Sequence, residues 1–248
     1  MNDARRGFWR LQIHEVLPST SDLCRSLAVA GEPAGLAVLA RQQTQGRGSR
    51  GRDWQSPVGN LYLSVLLRPQ QPARDAAQWS LLAGVAVVET LAAYLPADAS
   101  AGLRLKWPND VLLHGAKLAG LLIDSSANPA GSIDWLVLGI GVNLAVAPQV
   151  PGRATAALAE LVEAPAPEAF ADALLIRLGH WSAVRAAEGF GAVRHAWLLR
   201  GPPPGSDIGL RVGAQTLAGG FAGLGEDGSL LLRSGDRVRA FAAGEVLL

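Results

Sequence analysis

Two apolar runs, "GLAVLA" at 35–40 and "NLYLSVLL" at 60–67, flank a segment that holds Gly46, Arg47, Gly48, Arg50, Gly51 and Arg52 within seven residues. Both runs have the length and β-rich composition of buried strands. What joins them reads as a loop, because its glycines free the backbone and its arginines need water or an anion. The fold must therefore contain a sheet with a flexible cationic loop between two of its strands. Glycines let successive N–H groups turn inward as an anion-binding nest, and Arg47, Arg50 and Arg52 add forked hydrogen bonds. Read alone, the same segment fits a solvated loop or an RNA-contacting tract equally well.

The rest of the pattern fills in that sheet. "QWSLLAGVAVVETLAAYL" predicts a helix ended by Pro96, and "LRLKW", "KLAGLLID" and "DWLVLGIGVNL" are short enough for strands. Residues 168–199, rich in alanine and leucine, predict one or two helices. "GPPPGSD" at 201–207 then breaks the pattern, and short β-like runs follow, punctuated by "LGEDGS" and "RSGD". The expectation is an α+β fold: a main domain over residues 1–200 with a central sheet and helices, and a small all-β domain over 201–248.

Composition narrows the partners. A net charge of +1 argues against a general nucleic-acid binder, so arginines gathered in one loop suit a small anionic ligand. The single cysteine, Cys24, excludes an internal disulfide and argues against a cysteine-built metal site. The four histidines stand in different segments without metal-ligand spacing. The N-terminus "MNDARRGFWR" has no long apolar stretch, and the most apolar helix is cut by Glu89, so neither a signal peptide nor a membrane span is expected. A cytoplasmic setting follows.

A second cluster lies downstream in "KWPNDVLLHGAKLAGLLID" at 106–124. Pro108 fixes the backbone before Asn109 and Asp110, placing both in a turn that follows a strand. A hydroxyl or a hydrated Mg²⁺ would be met there. Lys117 heads an apolar strand in which Gly120 admits close approach to the backbone. An ordinary hairpin with a surface lysine is the plain alternative.

Taken in order, "STS", "QTQGRGSRGR", "KWPND", "KLAG" and "GIGVNL" resemble the biotin protein ligases, from about Ile13 to the C-terminus. The resemblance implies a mixed sheet with packed helices, related to lipoate ligases, followed by a small SH3-like barrel. It implies two half-reactions. Biotin and MgATP give biotinyl-5′-adenylate and pyrophosphate, and a lysine of a biotin carboxyl carrier protein then takes the biotinyl group. Homodimers formed through sheet edges belong to the family as well. Some members begin with a DNA-binding helix-turn-helix; here the motifs start almost at once, so a short form without sequence-specific DNA binding is expected.

Carried over by motif, the resemblance puts Lys117 at the carboxylate–phosphate junction and Arg47 beside it as the catalytic pair. It assigns biotin to Ser19, Thr20, Ser21, Gln43, Gly46, Arg47, Gly48, Ser49, Lys117, Gly120 and Leu122. ATP and the adenylate fall to Arg50, Arg52, Trp54, Asn109, Asp110, Lys117 and Asn143. Mg²⁺ would be carried with ATP, near Asp110, without a direct protein cluster. Ser19 and Thr20 also read as a helix N-cap before "SDLCRSLAVA", and Trp54 as an ordinary core aromatic.

The sequence departs from the family pattern at three places. Ser21 replaces a frequent asparagine, Ser49 removes one cation from the loop, and Asp124 is one methylene shorter than the frequent glutamate. Two rival functions stay open at this point. A lipoate-type ligase or octanoyltransferase shares the fold, but its acyl chain has no ureido group for Ser19, Thr20 and Gln43. An RNA-binding protein would use the basic loop but has no use for "KWPND".

Overall fold

The computed structural model describes residues 7–247; positions 1–6, which hold most of the polar N-terminus read above, and Leu248 lie outside it. Seven strands form the main sheet. They are β1 (Arg10–Leu17), β2 (Leu36–Gln43), β3 (Leu61–Leu67), β4 (Leu103–Lys106), β5 (Asp110–Leu113), β6 (Ala116–Ala127) and β7 (Ile133–Val142). Their order across the sheet is β1-β2-β3-β7-β6-β5-β4. Only β1 and β2 run parallel, so the sheet is mixed, as the resemblance implies.

Period-2 alternation sends different residues to the two faces. On one face Leu61, Leu63 and Val65 of β3 join Leu136, Leu138 and Ile140 of β7 in the main core. Helix α2 (Ala76–Tyr94) lies there, between the sheet and α3 (Pro167–Glu188) and α4 (Phe190–Leu198). Because α2 is covered on nearly every side it is apolar all round, with an unbroken buried run from Gln78 to Val88. That explains why a helix with the length and hydropathy of a membrane span is here a core helix.

The opposite face has one helix. α1 (Thr20–Val29) covers a smaller apolar cluster of Cys24, Ala28, Leu36, Val38, Leu66, Trp135 and Val137. Along β7 the same face continues from Trp135 and Val137 to Gly139 and Gly141; along β3 it runs from Leu66 to Ser64 and Tyr62. The apolar half lies under α1. Ser64 and Gly139 lie under its first turn, and Gly141 lies beyond it, under Trp54. Burial pushes the Cys24 thiol up to about 12, so this side chain is an inert core residue at neutral pH.

After α4 the chain changes to a five-stranded antiparallel sheet of β8 (Asp207–Val212), β9 (Gln215–Leu224), β10 (Leu230–Ser234), β11 (Arg237–Phe241) and β12 (Glu245–Leu247). This matches the small SH3-like module that the resemblance implies. Its apolar residues, Ile208, Leu210, Phe221 and Leu230 among them, continue the main core. The two parts are also stitched by polar contacts: the buried indole Nε1 of Trp107 donates to Gly228 O at 3.0 Å, and Gln78 Nε2 donates to Glu226 O at 3.2 Å.

Trp107→Phe keeps the ring's apolar bulk but leaves the Gly228 carbonyl without its partner. It should cost ~1–3 kcal/mol, read as a lower urea midpoint with an unchanged slope.

Candidate active site

The part of the sheet face at and beyond the first turn of α1 is the floor of a cleft. Its glycines are required by what lies on them. A Cβ at Gly141 would sit 2.5 Å from Trp54 Cε2, one at Gly120 would sit 2.8 Å from Trp54 Cζ3, and one at Gly139 would sit 2.5 Å from Ser21 Oγ. Trp54 therefore lies flat across β6 and β7, its indole Nε1 buried without a partner. Thr20, Ser21 and Gln43 line the head of this pocket, Tyr62 and Leu122 flank it, and Arg47, Gly48, Ser49, Asn109 and Lys117 line its mouth.

The glycine-arginine loop arches over that mouth. Gly48 N donates to Arg52 O at 2.7 Å and Trp54 N donates to Gly46 O at 2.9 Å, so the loop folds back on itself as a narrow hairpin. Its tip turns at Arg50 and Gly51, which have positive φ of 60° and 71°. Of the amides that a glycine nest would use, Gly48 N–H is spent inside the loop. Gly46 has a steric role, since a Cβ there would meet Trp54 O at 2.3 Å and Ser56 Oγ at 2.7 Å, and it lines a third cleft with Asp22, Gln43 and Arg47.

The cations of the site each face a carboxylate. Arg47 Nη1 reaches Asp22 Oδ1 at 2.7 Å and Asp124 Oδ2 at 3.0 Å. Burial alone would lower the Arg47 pKa, but Asp124 and Asp22 outweigh it and raise it. Lys117 on β6 is ion-paired with Asp110 on neighbouring β5, and its Nζ is 5.3 Å from the Trp54 ring centroid. Burial pushes the Lys117 pKa down, against the pull of Asp110 in the other direction.

A second cleft adjoins the first, and Ser49 and Asn109 border both. Arg50, Arg52, Lys106 and Asp110 line it from the main domain, and Ala242, Ala243, Gly244 and Glu245 line it from the C-terminal module. Glu245 is its hub: Oε2 accepts from Arg50 at 2.6 Å, and Oε1 accepts from Arg153 at 2.9 Å with Arg52 at 3.6 Å. Burial would raise the Glu245 pKa, but Arg52, Arg50 and Arg153 overcome that and lower it. Among the described residues no group of three or more His, Cys, Asp or Glu converges on a metal position.

Most of the residues singled out in the sequence meet in these two clefts, but three do not line either. Ser19 is the N-cap of α1 and accepts from Asp22 N at 3.2 Å. Asn143 turns away, donating to Ala156 O at 3.0 Å and holding residues 153–157 beside the start of β6. Gly46 is the third. Asn109 anchors its own turn, exchanging bonds with the Leu121 backbone at 2.8 and 2.9 Å. Asp110 is the first residue of β5 rather than a turn residue, because the turn closes with Lys106 and Asp110 already paired.

Sequence reasoning missed Asp22, Tyr62, Ser64, Lys106, Arg153 and Glu245. Tyr62 and Ser64 were detectable as the polar positions of an otherwise apolar strand. Arg153 and Glu245 lie outside every motif.

A family model described as the biotin/lipoate A/B protein ligase family matches residues 13–143. The chain is 40% identical to the biotin–[acetyl-CoA-carboxylase] ligase of Paracoccus denitrificans over 84% of this chain and 88% of that one. It is 33% identical to the enzyme of the same name from Mycobacterium tuberculosis, over 98% and 91% of the two chains. It also resembles the solved structure of biotin protein ligase from Aquifex aeolicus in complex with biotin and ATP, with a TM-score of 0.79 at 26% identity over 96% and 97% of the chains.

Glu245→Gln would remove the charge that holds four arginines, Arg50, Arg52, Arg153 and Arg211. The loop should open more often, and trypsin should cut the native protein after Arg50 or Arg52 about three- to tenfold faster.

Proposed function

The chain belongs to the biotin protein ligases of the biotin/lipoate A/B protein ligase family, and from that premise we propose how its two clefts divide the work. The enzyme activates biotin with ATP to biotinyl-5′-adenylate and transfers the biotinyl group to a lysine of the biotin carboxyl carrier domain of acetyl-CoA carboxylase. The single observation that supports this division is the position of Lys117. It lines an inner pocket with a hydroxyl-and-amide head and a glycine floor, and it is ion-paired with Asp110, which lines the arginine-bearing outer cleft.

Biotin would enter the inner pocket with its ring toward Thr20, Ser21 and Gln43 and its carboxylate toward Arg47 and Lys117. Burying an unpaired amide-like group costs ~1–3 kcal/mol, so a pocket that supplies hydroxyl and amide partners selects a ureido ring over a plain acyl chain. Phosphates would occupy the outer cleft among Arg50, Arg52 and Lys106. A carboxylate and an α-phosphate about 4 Å apart repel by ~4 kcal/mol at an effective dielectric near 20. The Lys117 and Arg47 cations offset that repulsion where the new bond forms. In the second half-reaction the same cations steady the phosphate as it leaves and the carrier lysine attacks the acyl carbon.

Trp54 has to yield some of the floor to the ligand, and its indole then offers a flat surface to the adenylate. Mg²⁺ would arrive on the phosphates of ATP. Asp110 fits that role because a hydrated Mg²⁺ needs only one or two protein carboxylates. The cytoplasm is the compartment in which ATP and the carrier domain meet. We further propose that two copies pair through the open edge of β1 and that DNA is not a partner, given the net charge of +1. Sedimentation and a gel shift at physiological salt check these two points.

Lys117→Ala should lower biotin-dependent ATP–pyrophosphate exchange by at least ~10², about 2.7 kcal/mol in the barrier, with the protein still folded. Near-normal exchange would remove Lys117 from the chemistry.

Ser49 borders both clefts, and its Oγ accepts from Arg52 Nη2 at 3.1 Å. Ser49→Arg should slow release of preformed biotinyl-adenylate by roughly tenfold, measured without acceptor, through one added charge-assisted bond. An unchanged rate would mean that the existing arginines already close the clamp.

A further inference from the structure

At the head of the inner pocket a row of side chains has its proton order fixed by one backbone amide. Thr20 N–H donates to the Gln43 side-chain amide at 2.8 Å, so the atom it meets is oxygen, Oε1. The Nε2 end then faces Ser56 Oγ at 3.1 Å, and Ser56 gives its own proton to Trp54 O at 3.0 Å. Both ends of Gln43 agree on one orientation.

An amide oxygen can only accept. Thr20 Oγ1, 3.1 Å from the same Oε1, therefore spends its single proton on Gln43. Its contact with Ser64 Oγ at 2.8 Å must run the other way, with Ser64 as donor. Ser64 then has no proton left for Ser21 Oγ at 3.0 Å and accepts from it. Ser21 has thus directed its proton inward. On the pocket side it presents lone pairs alone.

We propose that Ser64 is a positioning residue for substrate recognition: it orders the Thr20 and Ser21 hydroxyls so that Ser21 offers an acceptor to a ring N–H of the ligand. Ser64 is wholly buried on β3, and Thr20, Ser21 and Gly139 line the pocket in front of it. Gly139 gives Ser21 its place, because a Cβ there would collide with Ser21 Oγ. The proposal rests on the biotin reading above and sharpens it. A cyclic urea brings an N–H donor to the Ser21 lone pairs, whereas a dithiolane or an alkyl chain leaves them unmet.

Ser64→Ala breaks the relay. The Ser21 hydroxyl becomes free to rotate and Thr20 loses its donor. The KM for biotin in pyrophosphate exchange should rise about fivefold or more, as expected for one neutral hydrogen bond, while kcat and the KM for ATP stay within twofold. A general packing defect would move all three.

The sharper readout is a pair of biotin analogues, each methylated on one of the two ring nitrogens. The unmodified enzyme should disfavour the analogue that blocks the N–H facing Ser21, relative to the other, by about tenfold, and Ser64→Ala should reduce that preference to about twofold. Should Ser64→Ala fail to fold, Ser21→Ala at the end of the relay must give the same rise in biotin KM and the same lost preference. An unchanged biotin KM and an unchanged preference in a folded variant would overturn the proposal. If the unmodified enzyme shows no biotin-dependent exchange at all, the function itself is wrong, a result distinct from failure of the relay.

Discussion

The site depends on a mismatch of lengths. Helix α1 has ten residues, about 15 Å of cover, whereas β6 and β7 have twelve and ten residues and run roughly twice as far. One end of the sheet face is therefore sealed by Cys24, Ala28 and their apolar neighbours, and the other end stays open. An open sheet face of ordinary side chains would be a sticky apolar patch. This chain instead places Gly120, Gly139 and Gly141 there and covers two of them with Trp54. Thr20 and Ser21 stand at the boundary because they are the first residues of the helix that stops short.

Charge completes what the backbone begins. Arg47 with Asp22 and Asp124, Lys117 with Asp110, and Arg50 and Arg153 with Glu245 form a site whose cations already have anionic partners. Without such partners so many cations close together would repel one another and weaken the fold. On the proposed reading, substrate anions would enter by exchange, taking guanidinium and ammonium groups from these carboxylates. The exchange costs less than charging an empty cavity would, and it leaves the arginines preoriented.

Much of this was readable before any coordinates. The buried strands flanking the loop, the long apolar α2 and the change of architecture after residue 200 follow from hydrophobic period and from proline and glycine punctuation. β1 escaped notice because it is an edge strand with an exposed, mixed surface, and the Pro18 that follows it gives no period. β5 was hidden as four residues between a turn and a hairpin. In the site, Lys117, Arg47 and Gln43 were marked by motif, and the structure does bring them together. Whether a glycine loop stays open or zips onto itself depends on tertiary contacts of Trp54, which local sequence does not encode. Arg153 and Glu245 are united only by the docking of the final strand.

That docking ties assembly of the site to the order of folding. The Arg50–Glu245 contact spans 195 residues of chain. Closing so long a loop is entropically costly unless the intervening chain has already folded and holds the two ends near each other. The seven strands and the glycine floor lie within residues 10–142, but the loop gains its carboxylate anchor only when β12 is added to β8. The carboxylate that holds Arg50 is thus among the last residues synthesised, so the cationic loop acquires its anchor only at the end of the protein's synthesis.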